Sequence, residues 1–303
     1  MSRGVGVEPF LAHHAGPLVV VFALLTQLGA APLLFSLATA VYWLGPATPR
    51  LGDALDRERT ATVLALLIGG VALTGVSKGV FALPRPPGAT TPAGVEYVPR
   101  AVSGLYTWLV RAEGYGFPSG HAVTATVGWG GLAWAVRVGR RRTRALLAVA
   151  LVALVSLSRL VLGVHYLVDV LAGAGVGLGL LALGVRLGRP SRVFVLVLGL
   201  AVTGPLALGV TRDGAAVLGL AAGGTLAWPV AHRAERPARR GALATLGLGV
   251  VTAGPLLVLS AWVLPTPGAA LAGFAGGGLL IALPLVGDAL ERRGGRGPQN
   301  VSR

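Results

Sequence analysis

The chain has 303 residues, of which 54% are hydrophobic and 12% charged, and its mean hydropathy is +0.74. This composition excludes an ordinary soluble domain and indicates a polytopic membrane protein. The formal net charge of +15 does not indicate a nucleic-acid partner, because the arginines lie in short clusters between apolar runs. The absence of cysteine excludes disulfides, thiol catalysis and cysteine metal sites.

Apolar segments long enough to cross a bilayer recur along the whole chain. We therefore predict an all-α, polytopic membrane helix bundle with about nine transmembrane helices. The first segment is long and contains Gln27 and Pro32, so it is either a tilted span or an interfacial helix followed by a shorter span. The predicted spans are residues 17–45, 60–83, 119–138, 144–162, 165–187, 192–211, 215–231, 242–263 and 268–287.

The basic residues predict how the bundle is oriented. Of the 26 Lys and Arg residues, 19 lie in four connections and the tail, and nine spans place all of these on one side. The positive-inside rule makes that side cytoplasmic, with the N-terminus outside and the C-terminus inside. We therefore predict a multi-pass cell-membrane protein. The arginine-rich segments are 46–59, 137–144, 186–192, 232–240 and 288–303.

One long connection, residues 84–118, is predicted to face outward. Turn-rich sequences open and close it. Between them, Val102, Leu105, Trp108 and Leu109 recur at helical spacing. This pattern predicts a short helix that lies in the outer headgroup layer.

Three short motifs also reach this outward face. They are K-x6-R-P from Lys78 to Pro86, PSGH from Pro118 to His121, and SR-x5-H-x3-D from Ser158 to Asp169. Ionisable groups beside apolar spans are costly, so they are functional candidates by default.

The third motif contains a histidine and an aspartate that are suited to act together. His165 and Asp169 are four residues apart, so on a helix they share one face. A carboxylate in that position can hold an imidazole in one tautomer and stabilise its positive charge.

The remaining motif residues are suited to binding a phosphoryl group. Arg159 has a planar, always-charged guanidinium that can donate hydrogen bonds to an anion. Lys78, the single lysine, has a compact ammonium group that acts as a point charge. PSGH is typical of a helix N-terminus, which attracts anions, and Gly120 permits close approach of the backbone. Together with His121, a second histidine, these groups fit a double displacement at phosphorus.

Taken together, the three motifs resemble the signature of the type 2 phosphatidic acid phosphatase family, whose active site is shared with vanadium haloperoxidases. The resemblance covers about residues 20 to 187 and implies a phosphatase that works through a phosphohistidine. It implies no metal and no cofactor. By position, the implied catalytic residues are the nucleophile His165, its orienting partner Asp169 and the general acid His121; the implied phosphate-binding residues are Lys78, Arg85, Ser119, Gly120 and Arg159.

A site at headgroup depth makes a lipid phosphate the natural substrate: phosphatidic acid, phosphatidylglycerol phosphate or a polyprenyl diphosphate. A soluble phosphate ester, or transfer to an alcohol, is an alternative of the same class. A zinc hydrolase could use His121, His165 and Asp169 as ligands, although three nearby cations would repel the metal. A transporter could use the Arg/His/Asp cluster as a proton or anion path, although other spans lack polar residues.

We interpret residues 17–187 as the phosphatase core and residues 188–303 as additional membrane helices of unknown role, rich in small residues that permit close packing. Glu96 and Glu113 in the outer loop are possible auxiliary groups, with solvated charges as the default interpretation. The sequence does not indicate an oligomeric state.

Overall fold

A computed structural model describes residue 4 and residues 6–48, 54–234 and 239–294 of the chain. Within these ranges every regular element is helical, apart from one isolated bridge between Leu55 and Val136, which confirms the all-α fold class. The helices are α1 (Val7–Ala15), α2 (Leu18–Leu25), α3 (Ala31–Leu44), α4 (Arg57–Phe81), α5 (Arg100–Val110), α6 (Gly120–Ala135), α7 (Arg141–Val161), α8 (Leu167–Leu187), α9 (Pro190–Leu208), α10 (Arg212–Ala231), α11 (Arg239–Val251), α12 (Ala253–Val258) and α13 (Thr266–Gly294).

Seven helices in the described part of the chain are long and apolar enough to cross a membrane, or eight if the bent pair below counts as one span. They are α4, α7, α8, α9, α10, the continuous run Arg239–Val263, and α13. The segment predicted at 119–138 forms α6, which has only 16 residues, whereas a full span needs about 20. The predicted number of nine spans and the orientation of the termini stay predictions.

The long first segment is broken. Leu18–Gly29 and Ala31–Leu44 form two helical pieces bent by 47°, with a 3₁₀ turn at Thr26–Gly29 and extended backbone at Ala30. Pro32 lies in the first turn of α3, where its missing N–H leaves no hydrogen bond unmade. The proline noted in the sequence therefore marks where the helix restarts.

The loop of residues 84–118 contains the predicted short helix, which is α5. Its Tyr106 and Val110 are buried in a cluster that also contains residues of α2 and the end of α7. Val102, Leu105 and Trp108 are exposed on its opposite face. One face of α5 therefore packs against the protein, and the other face is apolar and exposed.

Two compact units can be described separately. The first comprises the described residues up to Ser36 together with 70–134 and 139–186, and it contains all three motifs. It also includes α1, a helix that the sequence analysis did not predict. Val7 and Leu11 of α1 pack against a small buried cluster of α6, α7 and α8 residues.

The second unit comprises residues 37–69 and 135–138 and the described residues from Leu187 onward. Glycines let α10 and α13 approach so closely that a Cβ on Gly219, Gly223, Gly273 or Gly277 would lie 2.0–2.4 Å from a carbonyl oxygen of the facing helix. This is the close packing predicted from the small residues. Near the end of α3, Tyr42 Oη and Trp43 Nε1 donate hydrogen bonds of 3.0 and 2.9 Å to carbonyl oxygens of α13.

Candidate active site

Glycines on α8 bring two of the motifs together. A Cβ on Gly173 would lie 2.5 Å from the backbone oxygen of Ser119, and one on Gly177 would lie 2.6 Å from Cβ of Thr126. This four-residue spacing of small residues permits close approach of membrane helices. The Ser119 backbone N–H also donates to the Asp169 carbonyl at 2.9 Å. The start of α6 is therefore fixed against the first turn of α8.

A tight turn connects Arg159, in the last turn of α7, to His165, just before α8. Gly163 has φ +65°, a left-handed conformation that glycine adopts without a steric penalty. The Val164 N–H donates to the Arg159 carbonyl at 3.2 Å across this turn. The glycine in this motif therefore lets the chain reverse, so that both functional side chains lie at the same end of the helix pair.

His165 is buried with its two ring nitrogens in different environments. Nδ1 lies 3.4 Å from Asp169 Oδ2, which also accepts a hydrogen bond from the Tyr166 backbone N–H at 3.0 Å. Nε2 lies 3.1 Å from NH1 of Arg85. Because a guanidinium can only donate, this contact assigns the lone pair to Nε2 and the proton to Nδ1. The nitrogen that carries the lone pair is therefore the one on the side away from Asp169.

Hydrogen bonds to three backbone carbonyl groups hold the guanidinium of Arg85. Its NH1 donates to the Val164 carbonyl at 2.9 Å, and its Nε and NH2 donate to carbonyls of Glu113 and Gly114 at 3.1–3.2 Å. Burial lowers the pKa of Arg85, while the charge of Asp169 opposes that shift. The guanidinium is therefore oriented before any ligand binds.

Two other cations lie around the imidazole. Lys78, half-buried in the last turn of α4, interacts electrostatically with Arg85, Arg159 and Asp169. Arg159 is 5% exposed, and its NH1 donates to Oγ1 of Thr26 at 3.2 Å. The half-buried His121, in the first turn of α6, lies within electrostatic range of all three cations and of His165.

The surroundings of His165 set its protonation state. Burial lowers its pKa well below the usual 6.5, and the charges of Arg159, Arg85 and Lys78 lower it further, against a hydrogen bond with the backbone of Gly116. The imidazole is therefore neutral at pH 7, which is the form that can attack phosphorus.

Besides His165 Nδ1, which lies 3.4 Å from Asp169 Oδ2, three buried polar atoms of the site have no hydrogen-bond partner within the described part of the chain: Ser119 Oγ, Thr74 Oγ1 and Arg159 Nε. Ser119 precedes α6, yet its hydroxyl does not cap the helix. Thr74 lies one turn before Lys78, and its methyl group would be 3.4 Å from a Cβ on Gly120. Buried polar atoms are rarely left unpaired, so these donors suit a ligand with several acceptor oxygens.

The structure thus brings together all eight residues that the sequence analysis proposed for the site. It places Glu113 differently, because its exposed carboxylate pairs with Arg111 and only its backbone carbonyl reaches Arg85. Glu96 is exposed in the loop of residues 84–118.

Sequence reasoning missed Thr26, Thr74 and Gly116. A Cβ on Gly116 would lie 3.2 Å from Asp169 Oδ2 and 3.3 Å from Cγ of Arg85. The turn-rich sequence around Gly116 was a usable signal, because it indicated a tight loop beside the second motif. The two threonines carry no such signal, since each is one weakly polar residue in an apolar run.

Comparison with known proteins gives one match. Residues 59–192 match the model of a family described as the PAP2 superfamily, and this segment includes all three motifs. No curated protein and no solved structure matches the chain.

Proposed function

The chain belongs to the PAP2 superfamily through residues 59–192, and on that basis we propose that it is a membrane phosphatase acting on a lipid phosphate or a polyprenyl diphosphate. Membership of this family of phosphoesterases supports a phosphatase-type hydrolase. We further propose that the reaction occurs at the outer leaflet through a phosphohistidine. The observation that carries this proposal is the buried His165, whose Nε2 faces Arg85 and whose Nδ1 faces Asp169.

In the proposed first step, Nε2 of His165 attacks the phosphorus atom. The bond from phosphorus to the leaving oxygen breaks, its electron pair moves to that oxygen, and His121 donates the proton that the oxygen needs. The imidazole becomes positively charged as it forms the new bond. Asp169 Oδ2, which faces Nδ1 at 3.4 Å, stabilises that charge.

In the proposed second step, a water molecule attacks the same phosphorus atom and the bond to Nε2 breaks. His121, now neutral, takes a proton from the attacking water, and inorganic phosphate is released. The same histidine therefore acts first as the acid and then as the base, and the enzyme returns to its starting protonation state.

Positive charge around the phosphorus supplies most of the catalytic effect in this proposal. Phosphoryl transfer depends chiefly on positioning and on stabilising the charge of the equatorial oxygens. Lys78, Arg85 and Arg159 provide three cations, and Ser119 with the Gly120 N–H provides neutral donors. In the free enzyme, NH1 of Arg85 is hydrogen-bonded to Nε2 of His165. We propose that this NH1 group donates instead to a phosphoryl oxygen when substrate binds.

The surroundings of the site support a lipid substrate. The apolar face of α5, with Leu105 61% and Trp108 64% exposed, belongs to the same loop that supplies carbonyls to Arg85. At the end of α4 beside this loop, Val80 and Phe81 are also exposed. Apolar surface next to a cluster of cations suits a molecule with an anionic head and a hydrocarbon chain.

The decisive experiment compares His165→Ala with His232→Ala, which changes an exposed histidine outside the site. We expect the His165 variant to fold but to lose both phosphate release, measured with malachite green on a panel of lipid phosphates, and the acid-labile phosphoenzyme. The His232 variant keeps both. Robust turnover by the His165 variant would refute the mechanism.

A second experiment tests the alternative that the protein is a zinc hydrolase. Activity is expected to persist in EDTA and to be inhibited by vanadate, because a five-coordinate vanadate on His165 resembles the transition state. Loss of activity in EDTA that zinc restores would instead support a metal-dependent hydrolase.

A further inference from the structure

The break in the first membrane segment lies directly against the candidate site. Thr26, in its 3₁₀ turn, is completely buried, and its Oγ1 accepts the hydrogen bond from NH1 of Arg159 at 3.2 Å. Thr26 lies outside the 59–192 segment that matches the family. A phosphate-binding arginine of the matched segment is thus held by a residue from a different part of the chain.

The three residues after Thr26 each contact another part of the same unit. Gln27 reaches the end of α5, and the next two carbonyls accept hydrogen bonds from α6. These bonds are Gln27 Nε2 to the Leu109 carbonyl at 3.1 Å, Trp129 Nε1 to the Leu28 carbonyl at 2.9 Å, and Thr124 Oγ1 to the Gly29 carbonyl at 2.5 Å.

The break also touches the backbone of the candidate general acid. A Cβ on Gly29 would lie 3.0 Å from the His121 carbonyl and 2.4 Å from a methyl of Val155. The position of the break is therefore fixed relative to α6 and α7 by contacts on both sides. A rigidly held hydroxyl can fix the direction of a guanidinium, whereas a mobile one cannot.

The bond to Thr26 leaves Nε of Arg159 without a partner among the described residues. A guanidinium is planar, so fixing NH1 restricts the plane and directs the remaining N–H groups. Charge-assisted hydrogen bonds of this kind are stronger than neutral ones. Thr26 thus anchors the guanidinium at NH1, and the remaining N–H groups are available to a phosphoryl oxygen.

We propose that Thr26 is a positioning residue for Arg159, and that the broken first segment is a working part of the active site. This inference rests on the proposed phosphatase function. Thr26 touches no reacting atom and acts only through the guanidinium that it orients. Its loss therefore affects the transition state, where the phosphoryl oxygens carry the charge that Arg159 must meet.

The test replaces Thr26 with Val, which keeps the shape and removes the acceptor, and with Ser, which keeps the acceptor. Misplacement of a catalytic group by about 1 Å costs roughly 100-fold, so we expect kcat of Thr26→Val to fall about 10- to 100-fold with KM little changed. Thr26→Ser should stay within about threefold of the wild type. The matched control is Thr62→Val, because Thr62 is also buried but, among the described residues, its hydroxyl donates only to the Glu58 carbonyl of its own helix.

A double-mutant cycle separates positioning from general packing. In an Arg159→Lys background the planar guanidinium is already lost. If the two residues act as a unit, adding Thr26→Val should then lower kcat by less than about threefold. A packing role predicts the same loss in both backgrounds. If Thr26→Val does not fold by size exclusion, Thr26→Ala is measured in its place.

The outcomes distinguish this inference from the proposed function. A wild-type protein that releases no phosphate from any substrate refutes both. An active wild type with unchanged kcat in Thr26→Val, or with equal losses in the two backgrounds, refutes only the role of Thr26. A large loss that Thr26→Ser restores and that disappears in the Arg159→Lys background supports it.

Discussion

The contact between Gly173 and Ser119 offers a direct test of how the site is assembled. Gly173→Ala adds one methyl group on α8, 2.5 Å from the Ser119 carbonyl oxygen and 3.0 Å from Cβ of Ala122. Ser119 immediately precedes α6 and Ala122 lies in its first turn, and the closer contact is with backbone, which cannot rotate away. The helices must therefore separate locally.

The size of the separation follows from the distances. Ordinary contact begins at 3.4 Å, so the gap must widen by about 0.9 Å, and a misplacement of about 1 Å costs roughly 100-fold in rate. Overpacking costs about 1–3 kcal/mol in stability, offset by the gain of about 1 kcal/mol when Ala replaces Gly in a helix. We therefore expect kcat to fall about 100-fold while the stability changes by no more than about 2 kcal/mol.

Two other glycines of α8 provide matched controls. Within the described part of the chain, no atom outside their own stretch of α8 lies within 4 Å of a Cβ added at Gly175 or Gly179. Their replacement by Ala should leave kcat unchanged and leave the melting temperature in detergent equal or higher. Phosphate release and thermal melting of the three purified variants are measured side by side.

Wild-type kcat in Gly173→Ala would contradict this prediction, because α8 and α6 would then tolerate separation at the site. The prediction fails equally if the Gly175 or Gly179 variant loses as much activity as Gly173→Ala. That result would show that the flexibility of α8, and not its distance from α6, limits catalysis.

Three further predictions follow from the charges and the buried contacts. Because the pKa of His165 is lowered, protonation of this imidazole should cause no fall in kcat/KM as pH drops through 6.5. An acid-side fall in kcat/KM whose midpoint is at or above 6.5, and is the same for two substrates with different phosphate pKa values, would contradict this assignment. A cysteine at Thr90 should be labelled from outside intact cells and one at Thr143 should not, and the reverse pattern would place the site in the cytoplasm. A chain ending at Arg192 should keep measurable activity with a lower melting temperature, since two buried donors of α3 lose their acceptors at about 1–3 kcal/mol each; a well-folded but inactive product would show that the later helices belong to the active unit.

The sequence predicted the features that depend on local pattern. Composition indicated the helical membrane class, and the spacing of Val102, Leu105 and Trp108 predicted α5, because the apolar periodicity of a helix is visible in any window of three turns. The three motifs supplied every proposed site residue. Their residue types, charged groups beside apolar spans, are rare enough to stand out.

The features that depend on the partner helix were not predictable in this way. Gly173 and Gly175 look alike in the sequence, yet of the two only Gly173 faces a carbonyl oxygen, that of Ser119 immediately before α6. Thr26 gains its importance from Arg159, which is 133 residues away, and no local pattern records that distance. The shortness of α6 was hidden as well, because the chain after Ala135 remains partly apolar although the helix has ended.

The bonds from Tyr42 and Trp43 to α13 have a consequence for biosynthesis. Their acceptors, the carbonyls of Ile281 and Leu280, lie 239 and 237 residues further along the chain. At a synthesis rate of about 5–20 residues per second, roughly 12–48 s pass between the synthesis of Tyr42 and Trp43 and that of their acceptors in α13. During that interval a phenol and an indole N–H in the membrane lack their final partners. The second unit therefore stays incomplete until α13 has been synthesised. Insertion of the early helices has to tolerate this stage or be assisted through it.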